Sequence, residues 1–391
     1  MSTSRPDHEV ALDQVLPVLR RHASEVDENA SFPSESLTAL RTSGLLGSVI
    51  PSQHGGWGMS LSQFVETAQL LAGACLTSAS IWAMHCQQAD ALARYGNQGF
   101  TDEILPQIAA GQVYLASVTT EPVKGGHALS AHSAALHSDE YLSFDRKAPV
   151  VTGGRHADGF LITLRASATA PETQVSLIYA DRSQLRIEQS GDWRTLGMRG
   201  TDSVSLHLKG KVPDRQVIGG HGGFREVAVE SYLPMAHIGW SACWLGAAKG
   251  VFAELVQELR RPGRRGGPQL SSDLVRERLA RIRLDLELVH SYLQRVVSEV
   301  EQCWRAGQSV GEPVQQIHLN SLKLCASELC YRAVDRMIEL AGLSLGYSKD
   351  SVVPLERCLR DLRSASLNYS NERLLTVTGA MTLMDRSVRL A

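Results

Sequence analysis

The 391-residue chain carries no charge imbalance: 39 lysines and arginines face 41 aspartates and glutamates. Near-neutrality removes the electrostatic motive for binding nucleic acid or an acidic membrane surface. No uncharged apolar run is long enough to span a bilayer. The start, Met1-Ser2-Thr3-Ser4-Arg5-Pro6-Asp7-His8-Glu9, is polar and lacks the apolar core of a signal peptide. The seven cysteines include no C-x-x-C pair, so neither a zinc cluster nor a disulfide frame is indicated, and no metal site is expected. Reduced thiols packed as small apolar groups are expected instead, in a cytoplasmic protein. A G-x-G-x-x-G fingerprint and a Walker loop are also missing, which excludes the usual Rossmann and P-loop ways of holding a nucleotide.

What is present is an ordinary globular composition, 43% hydrophobic and 20% charged, with a length that suits two or three structural units. Up to about Val113 the pattern is helical. Leu12, Val15, Leu16 and Leu19 recur at helical spacing, as do Leu37, Leu40 and Leu45. A glycine-rich turn, Pro51-Ser52-Gln53-His54-Gly55-Gly56-Trp57-Gly58-Met59-Ser60, precedes a further helix from Leu61 to about Ala72.

From about Tyr114 the period changes to two. Val204, Leu206 and Leu208 alternate with Ser203, Ser205, His207 and Lys209, and the apolar runs at 160–164 and 175–179 are bounded by turn residues. After about Phe224 long helices return. Val275, Leu279, Ile282, Leu286, Val289, Leu293, Val296 and Val300 form a stripe, with Ser271, Ser272 and Asp273 available as N-caps. Such a face cannot be buried by a lone helix, which predicts a bundle and a homo-oligomer built on it. Another helix, from about Pro313 to Leu340, is expected to stop at an αL cap on Gly342. The predicted order is a helical unit (1–113), a β domain (114–224) and a helical bundle (225–391).

Four segments in this order resemble the acyl-CoA dehydrogenase superfamily. They are the turn at 51–60, Thr119-Thr120-Glu121-Pro122, Leu196-Gly197-Met198-Arg199-Gly200-Thr201-Asp202-Ser203, and Leu355-Glu356-Arg357-Cys358-Leu359-Arg360-Asp361-Leu362-Arg363. The resemblance implies a mainly α fold with a central β-barrel domain that holds FAD, assembled as a homotetramer or homodimer. It places Ser117, Thr119, Thr120, Gly126, Val151, Gly153 and Gly342 among the positions that touch the cofactor, because preorganised donors at a flavin tune its electron affinity.

The departures matter as much. Gly126 stands where the family has a serine on the pyrophosphate, and Pro149 and Val151 replace a tryptophan and a threonine at the flavin. The family's Arg-x-x-Phe-Gly element is missing. Its region holds Arg260-Arg261-Pro262-Gly263-Arg264-Arg265-Gly266-Gly267, read first as a solvated loop and second as a pyrophosphate contact in trans. Most telling, the usual glutamate base, eight residues past Asp361, is Tyr369, and the alternative base position ten residues before Gly246 is Ala236. An unperturbed phenol titrates near 10, so ionising it at pH 7 costs about 4 kcal/mol.

The remaining candidates for chemistry are Tyr369 and Asn368, which can donate hydrogen bonds, His237, whose type suits proton transfer near neutrality, and His85 in the helix whose relatives line the acyl pocket. His85 and Cys86 are adjacent on a helix and do not form a nucleophile pair. Loss of both carboxylates with flavin motifs retained points first to an oxygen-using flavoenzyme acting on a small molecule or acyl thioester. Its reducing equivalents are expected from a separate flavin reductase or an electron-transfer flavoprotein. Second comes an α,β-dehydrogenase of an acyl-CoA or carrier-bound acyl group, with His237 or Tyr369 recruited as base. Third is a catalytically silent flavoprotein scaffold.

Overall fold

A computed structural model describes residues 8–122, 129–262 and 268–391. Gly126 and residues 263–267 of the basic loop lie outside them. The chain opens with five helices, α1 (His8–Glu28), α2 (Ser34–Thr42), α3 (Leu61–Ala74), α4 (Leu76–Tyr95) and α5 (Gln98–Ala109). Leu12, Val15 and Leu19 are the buried face of α1, as their spacing predicts. The glycine-rich turn ends in a reciprocal cap: Ser60 Oγ accepts from Gln63 N (3.2 Å), and Gln63 Oε1 accepts from Ser60 N (2.9 Å).

Eight strands follow: β1 (Leu115–Val118), β2 (Leu136–Ser138), β3 (Tyr141–Val151), β4 (Gly159–Arg165), β5 (Val175–Asp181), β6 (Leu185–Ser190), β7 (Val204–Pro213) and β8 (Val217–Ile218). They form two four-stranded sheets, ordered β1-β4-β5-β8 and β2-β3-β7-β6. Only β1 and β4 run parallel. Inward residues Leu142, Phe144 and Leu208 of one sheet share a core with Phe160, Ile162 and Ile178 of the other. β4 and β5 are buried on both faces, because Leu161, Leu177 and Tyr179 pack outward against Phe100 and Ile104 of α5. That explains why these two strands read as unbroken apolar runs while β7 alternates.

A short helix, α6 (Phe224–Val227), passes through a wide π-type turn (Ala228–Tyr232) into α7 (Leu233–Leu259). Helix α7 is buried along most of its length and packs on α3 and α4. At its crossing with α3 the backbones nearly touch: a Cβ on Gly246 would lie 2.4 Å from Gln69 O. The rest is α8 (Asp273–Arg305), α9 (Pro313–Gly342), α10 (Leu355–Leu362) and α11 (Asn371–Thr382). No helix among the described residues is long and apolar enough to cross a membrane. All seven cysteines are free, six of them buried.

Two expectations need correction, on the α8 stripe and on Gly342. The stripe on α8 is covered by α9 and α7 of the same chain, so it does not by itself call for a second subunit. The outward side of α8 instead exposes Leu284 and Leu288. The N-cap of α8 is Ser272, one of the three candidates, and it makes no side-chain capping bond. Gly342 does end α9, with φ 74° but ψ −171°, so it is not an αL cap; a wide turn, Leu343–Tyr347, follows it.

Candidate functional site

Tyr369 sits in the loop between α10 and α11 with φ 54°, the left-handed region that costs a non-glycine residue about 1–2 kcal/mol. Its carbonyl is held there. Lys323 Nζ, on α9, donates to Tyr369 O (2.9 Å) and to Asn371 Oδ1 (2.7 Å). Lys323 has no exposed surface, and its ammonium lies 5.7 Å from the centre of the Trp244 ring. Burial lowers its pKa to about 7, against a weaker upward pull from Glu328.

The Tyr369 ring meets two residues of α7. His237 packs edge-on at 5.6 Å and Trp240 at 6.2 Å, while Trp240 continues the stack to Trp244 at 6.4 Å. His237 is buried, and its ring nitrogens have no good hydrogen bond, only a weak approach to the Leu319 backbone. Burial first, and Lys323 second, lower its pKa to about 3, so the imidazole is neutral and weakly basic at pH 7. Burial pushes the Tyr369 phenol up, further from ionisation, with Tyr232 adding to the effect.

Tyr232, in the turn that leads into α7, is bonded to the β region. Its hydroxyl shares a short hydrogen bond with Ser117 Oγ on β1, accepts from Gln88 Nε2 (3.2 Å), and its carbonyl accepts from Gln87 Nε2 (2.9 Å). Gln88 Oε1 is left buried without a partner. The half-buried Thr119 hydroxyl, next along the chain from β1, makes no hydrogen bond within the described residues. The unpaired Gln88 Oε1, His237 nitrogens and Thr119 hydroxyl are groups that a polar, planar ring with its own donors and acceptors, as a flavin has, would pair with.

The structure brings Tyr369 and His237 into contact, while Ser117 is bonded to Tyr232, whose charge acts on the Tyr369 phenol. It separates others. Both ring nitrogens of His85 are engaged inside the fold: Nε2 donates to Leu46 O (2.8 Å) and Nδ1 accepts from Leu115 N (3.0 Å). Burial lowers its pKa to about 4, which keeps it neutral in that role. Asn368 is exposed; the inward asparagine is Asn371, bonded to Lys323, Ser327 and Glu328. The Thr120 hydroxyl is spent on the bulge in β3, donating to Val150 O (2.9 Å). Val151 is fully buried in the core, and Gly153 packs in a turn against Tyr114 and Phe32. Gly342 lies at the far end of α9 among exposed residues.

Three of the four sequence signatures hold the fold together. Glu121 forms an ion pair with the fully buried Arg146 between the sheets and accepts from His132 N and Ser133 N. Burial lowers Arg146 to about 9. Asp361 Oδ1 accepts from Met198 N (2.5 Å), and a Cβ on Gly197 would lie 2.0 Å from Arg360 O. The third and fourth segments are therefore one interlocked contact. A cleft of about 340 Å³ opens between α1, α7 and α10, lined by Arg20, Asp27, Glu254, Arg357 and Asp361. It does not include the ring cluster, whose candidacy rests on chemistry and not on volume.

Residues 9–112 match the family model for the acyl-CoA dehydrogenase N-terminal domain, and residues 221–369 that for the acyl-CoA dehydrogenase C-terminal domain. The chain is 25% identical over 395 residues to the mitochondrial very long-chain specific acyl-CoA dehydrogenase of Rattus norvegicus. That match takes in 97% of this chain but 58% of the relative, so the chain spans a little over half of that protein. Butyryl-CoA dehydrogenase from Megasphaera elsdenii superposes with a TM-score of 0.84 at 18% identity, over 95% of this chain and 98% of the other. FMN-bound TdsC from Paenibacillus sp. A11-2, a dibenzothiophene monooxygenase, superposes with a TM-score of 0.85 at 20% identity, over 96% and 98%. At such identities the structural likeness speaks for the fold, and both chemistries occur on it.

Proposed function

The chain belongs to the acyl-CoA dehydrogenase superfamily, and on that premise we propose that it is a flavin-dependent oxidoreductase that uses dioxygen on a small substrate or acyl thioester. The observation that carries this reading is Tyr369 where the family's base is expected. Its phenol is held away from ionisation by burial, and its backbone is pinned by Lys323. Ser117 and Thr119 with the backbone of β1, and Gln88 behind them, are the groups proposed to hold the flavin ring. When bound, that cofactor supplies the electrons for oxygen chemistry.

On this reading Tyr369 donates a hydrogen bond to the substrate or to reacting oxygen. Neutral His237 offers a lone pair or an N–H beside it, with the apolar rings of Trp240 and Trp244 stacked alongside. The dehydrogenase reading is second, favoured by the names of the relatives. It asks a weakly basic imidazole or an un-ionised phenol to remove a carbon-bound proton.

The deciding experiment reduces the purified flavoprotein without oxygen and then mixes it with isotopically labelled dioxygen and trial substrates. Label in the product supports the proposal. Rapid desaturation of an acyl-CoA with an artificial acceptor under nitrogen overturns it in favour of the dehydrogenase, with His237 the first residue to mutate. FAD is the proposed cofactor. Titrating apoprotein with FAD and with FMN is expected to quench flavin fluorescence for FAD, and preference for FMN or no affinity for either overturns that choice.

A homotetramer or homodimer is proposed as the working unit. The motive is the apolar surface beyond α9, where Leu343 is 81% exposed, Tyr347 65% and Val352 69%. Light scattering at micromolar concentration is expected to give a multiple of the 42.6 kDa chain mass. A monomeric mass overturns it. The free thiols fit a reducing compartment, and the cytoplasm is proposed.

A further inference from the structure

We propose that His137, Asp214 and His221 form a binding site for one borderline divalent transition-metal ion, of the zinc, cobalt or nickel type, on the rim of the β region. One ligand atom from each of the three lies within 4.8 Å of the others. His221 Nε2 sits 3.0 and 3.1 Å from the two oxygens of Asp214, the separation of two ligands on one ion. The His137 and His221 rings are 4.8 Å apart and inclined at 63°, edge to face and not stacked flat.

The second nitrogen of His137 has the partner a metal-bound imidazole needs. Nε2 lies 2.7 Å from Ala166 O and must donate to that carbonyl, which leaves the Nδ1 lone pair for an ion. Ligand atoms about 2 Å from one ion lie at most about 4 Å apart, so the widest gap must close slightly. Both histidines are exposed and can rotate to close it.

The three ligands arrive on separate, anchored segments. His137 is on edge strand β2. Asp214 opens the turn after β7, with its N–H on Glu140 O (2.7 Å). His221 lies in the glycine run after β8, where Gly219 N donates to Tyr95 O and Gly222 N to Ser176 Oγ. An ion would clip the edge of one sheet to the loop that leaves the other for α6. Two imidazoles and one carboxylate favour zinc, cobalt or nickel over magnesium or calcium, which prefer all-oxygen sets, and the exposed side leaves room for water ligands. The proposal is independent of the flavin reading.

The test uses the full chain without an affinity tag, as purified, after dialysis against a chelator. Titration calorimetry with ZnCl2, CoCl2 and NiCl2 is expected to give one saturable equivalent, with a visible absorption band for cobalt and no binding of MgCl2. Melting temperature should rise with added metal, since an ion that binds only the folded form stabilises it. His221→Ala, His137→Ala and Asp214→Asn should each weaken binding about tenfold or more, as loss of a ligand does at least as strongly as loss of its supporting partner. Circular dichroism checks that these surface variants fold. Absence of saturable binding, or equal affinity in all three variants, overturns the proposal; the latter result would put the ion on other histidines.

Discussion

Tyr369→Phe is expected to lower turnover by roughly one to three decades, the usual cost of removing one positioned donor, with little change in stability. The substitution leaves the ring against His237 and Trp240, and it leaves the carbonyl on Lys323. The hydroxyl makes no hydrogen bond within the described residues, so its removal orphans no internal partner. Any loss of turnover therefore reports on what the hydroxyl does for bound ligand. Steady-state kinetics beside a melting curve make the measurement, and full activity in the variant removes Tyr369 from the site. Tyr369→Glu is the companion. It restores the family's carboxylate in a buried setting that raises a carboxyl pKa, and it should not improve the native reaction. Weak acyl-CoA desaturation in that variant would show that the pocket still accepts a thioester.

Much of the architecture was legible because period and burial coincide. The three-and-four spacing on α1 and α8 and the alternation on β7 each mark the face that is buried. What could not be read was who covers that face. The α8 stripe looks the same whether α9 or another subunit lies on it. The site was legible in half. Tyr369 and His237 were reachable by counting from Asp361 and Gly246, but counting does not say which way a loop turns. Asn368 and Asn371 are three residues apart, and only the second points inward.

Lys323 was missed because a lone helical lysine ordinarily reads as solvated. The signal was there: it falls four residues after Leu319 and three before Ala326, both buried, on the apolar face of α9. Tyr232 gave no signal, since its contact with Ser117 joins segments more than a hundred residues apart. His137, Asp214 and His221 likewise have no spacing pattern; only the return of the strands places them together.

Lys323→Met is the second large effect, and its expected signature is a split between activity and stability. Methionine keeps most of the volume and removes an amine whose burial is itself costly. Asn371 Nδ2 keeps its bonds to Ser327 and Glu328, but Asn371 Oδ1 loses its Lys323 donor (2.7 Å) and falls back on Ser327 Oγ (3.3 Å), while Tyr369 O is left with none. An orphaned buried carbonyl costs about 1–3 kcal/mol, offset by relief of the lysine's desolvation, so the net change at pH 7 should be small. Turnover should fall about a hundredfold, because Tyr369 is no longer fixed in its left-handed conformation and small misplacements are expensive.

The pH dependence provides a readout that mere damage would not give. In the unfolded chain the amine stays protonated up to about pH 10, while burial brings the folded value to about 7. The unfolded chain therefore binds the extra proton between those limits. The Lys323 contribution to stability is lowest below pH 7 and rises with pH toward 10. Denaturant melts at intervals across that range should show wild type gaining on Lys323→Met by a few kcal/mol at most, roughly what this linkage allows. Parallel stability curves would mean that Lys323 is not the buried titrating amine described here. Undiminished turnover in Lys323→Met would mean that Tyr369 holds its place without it.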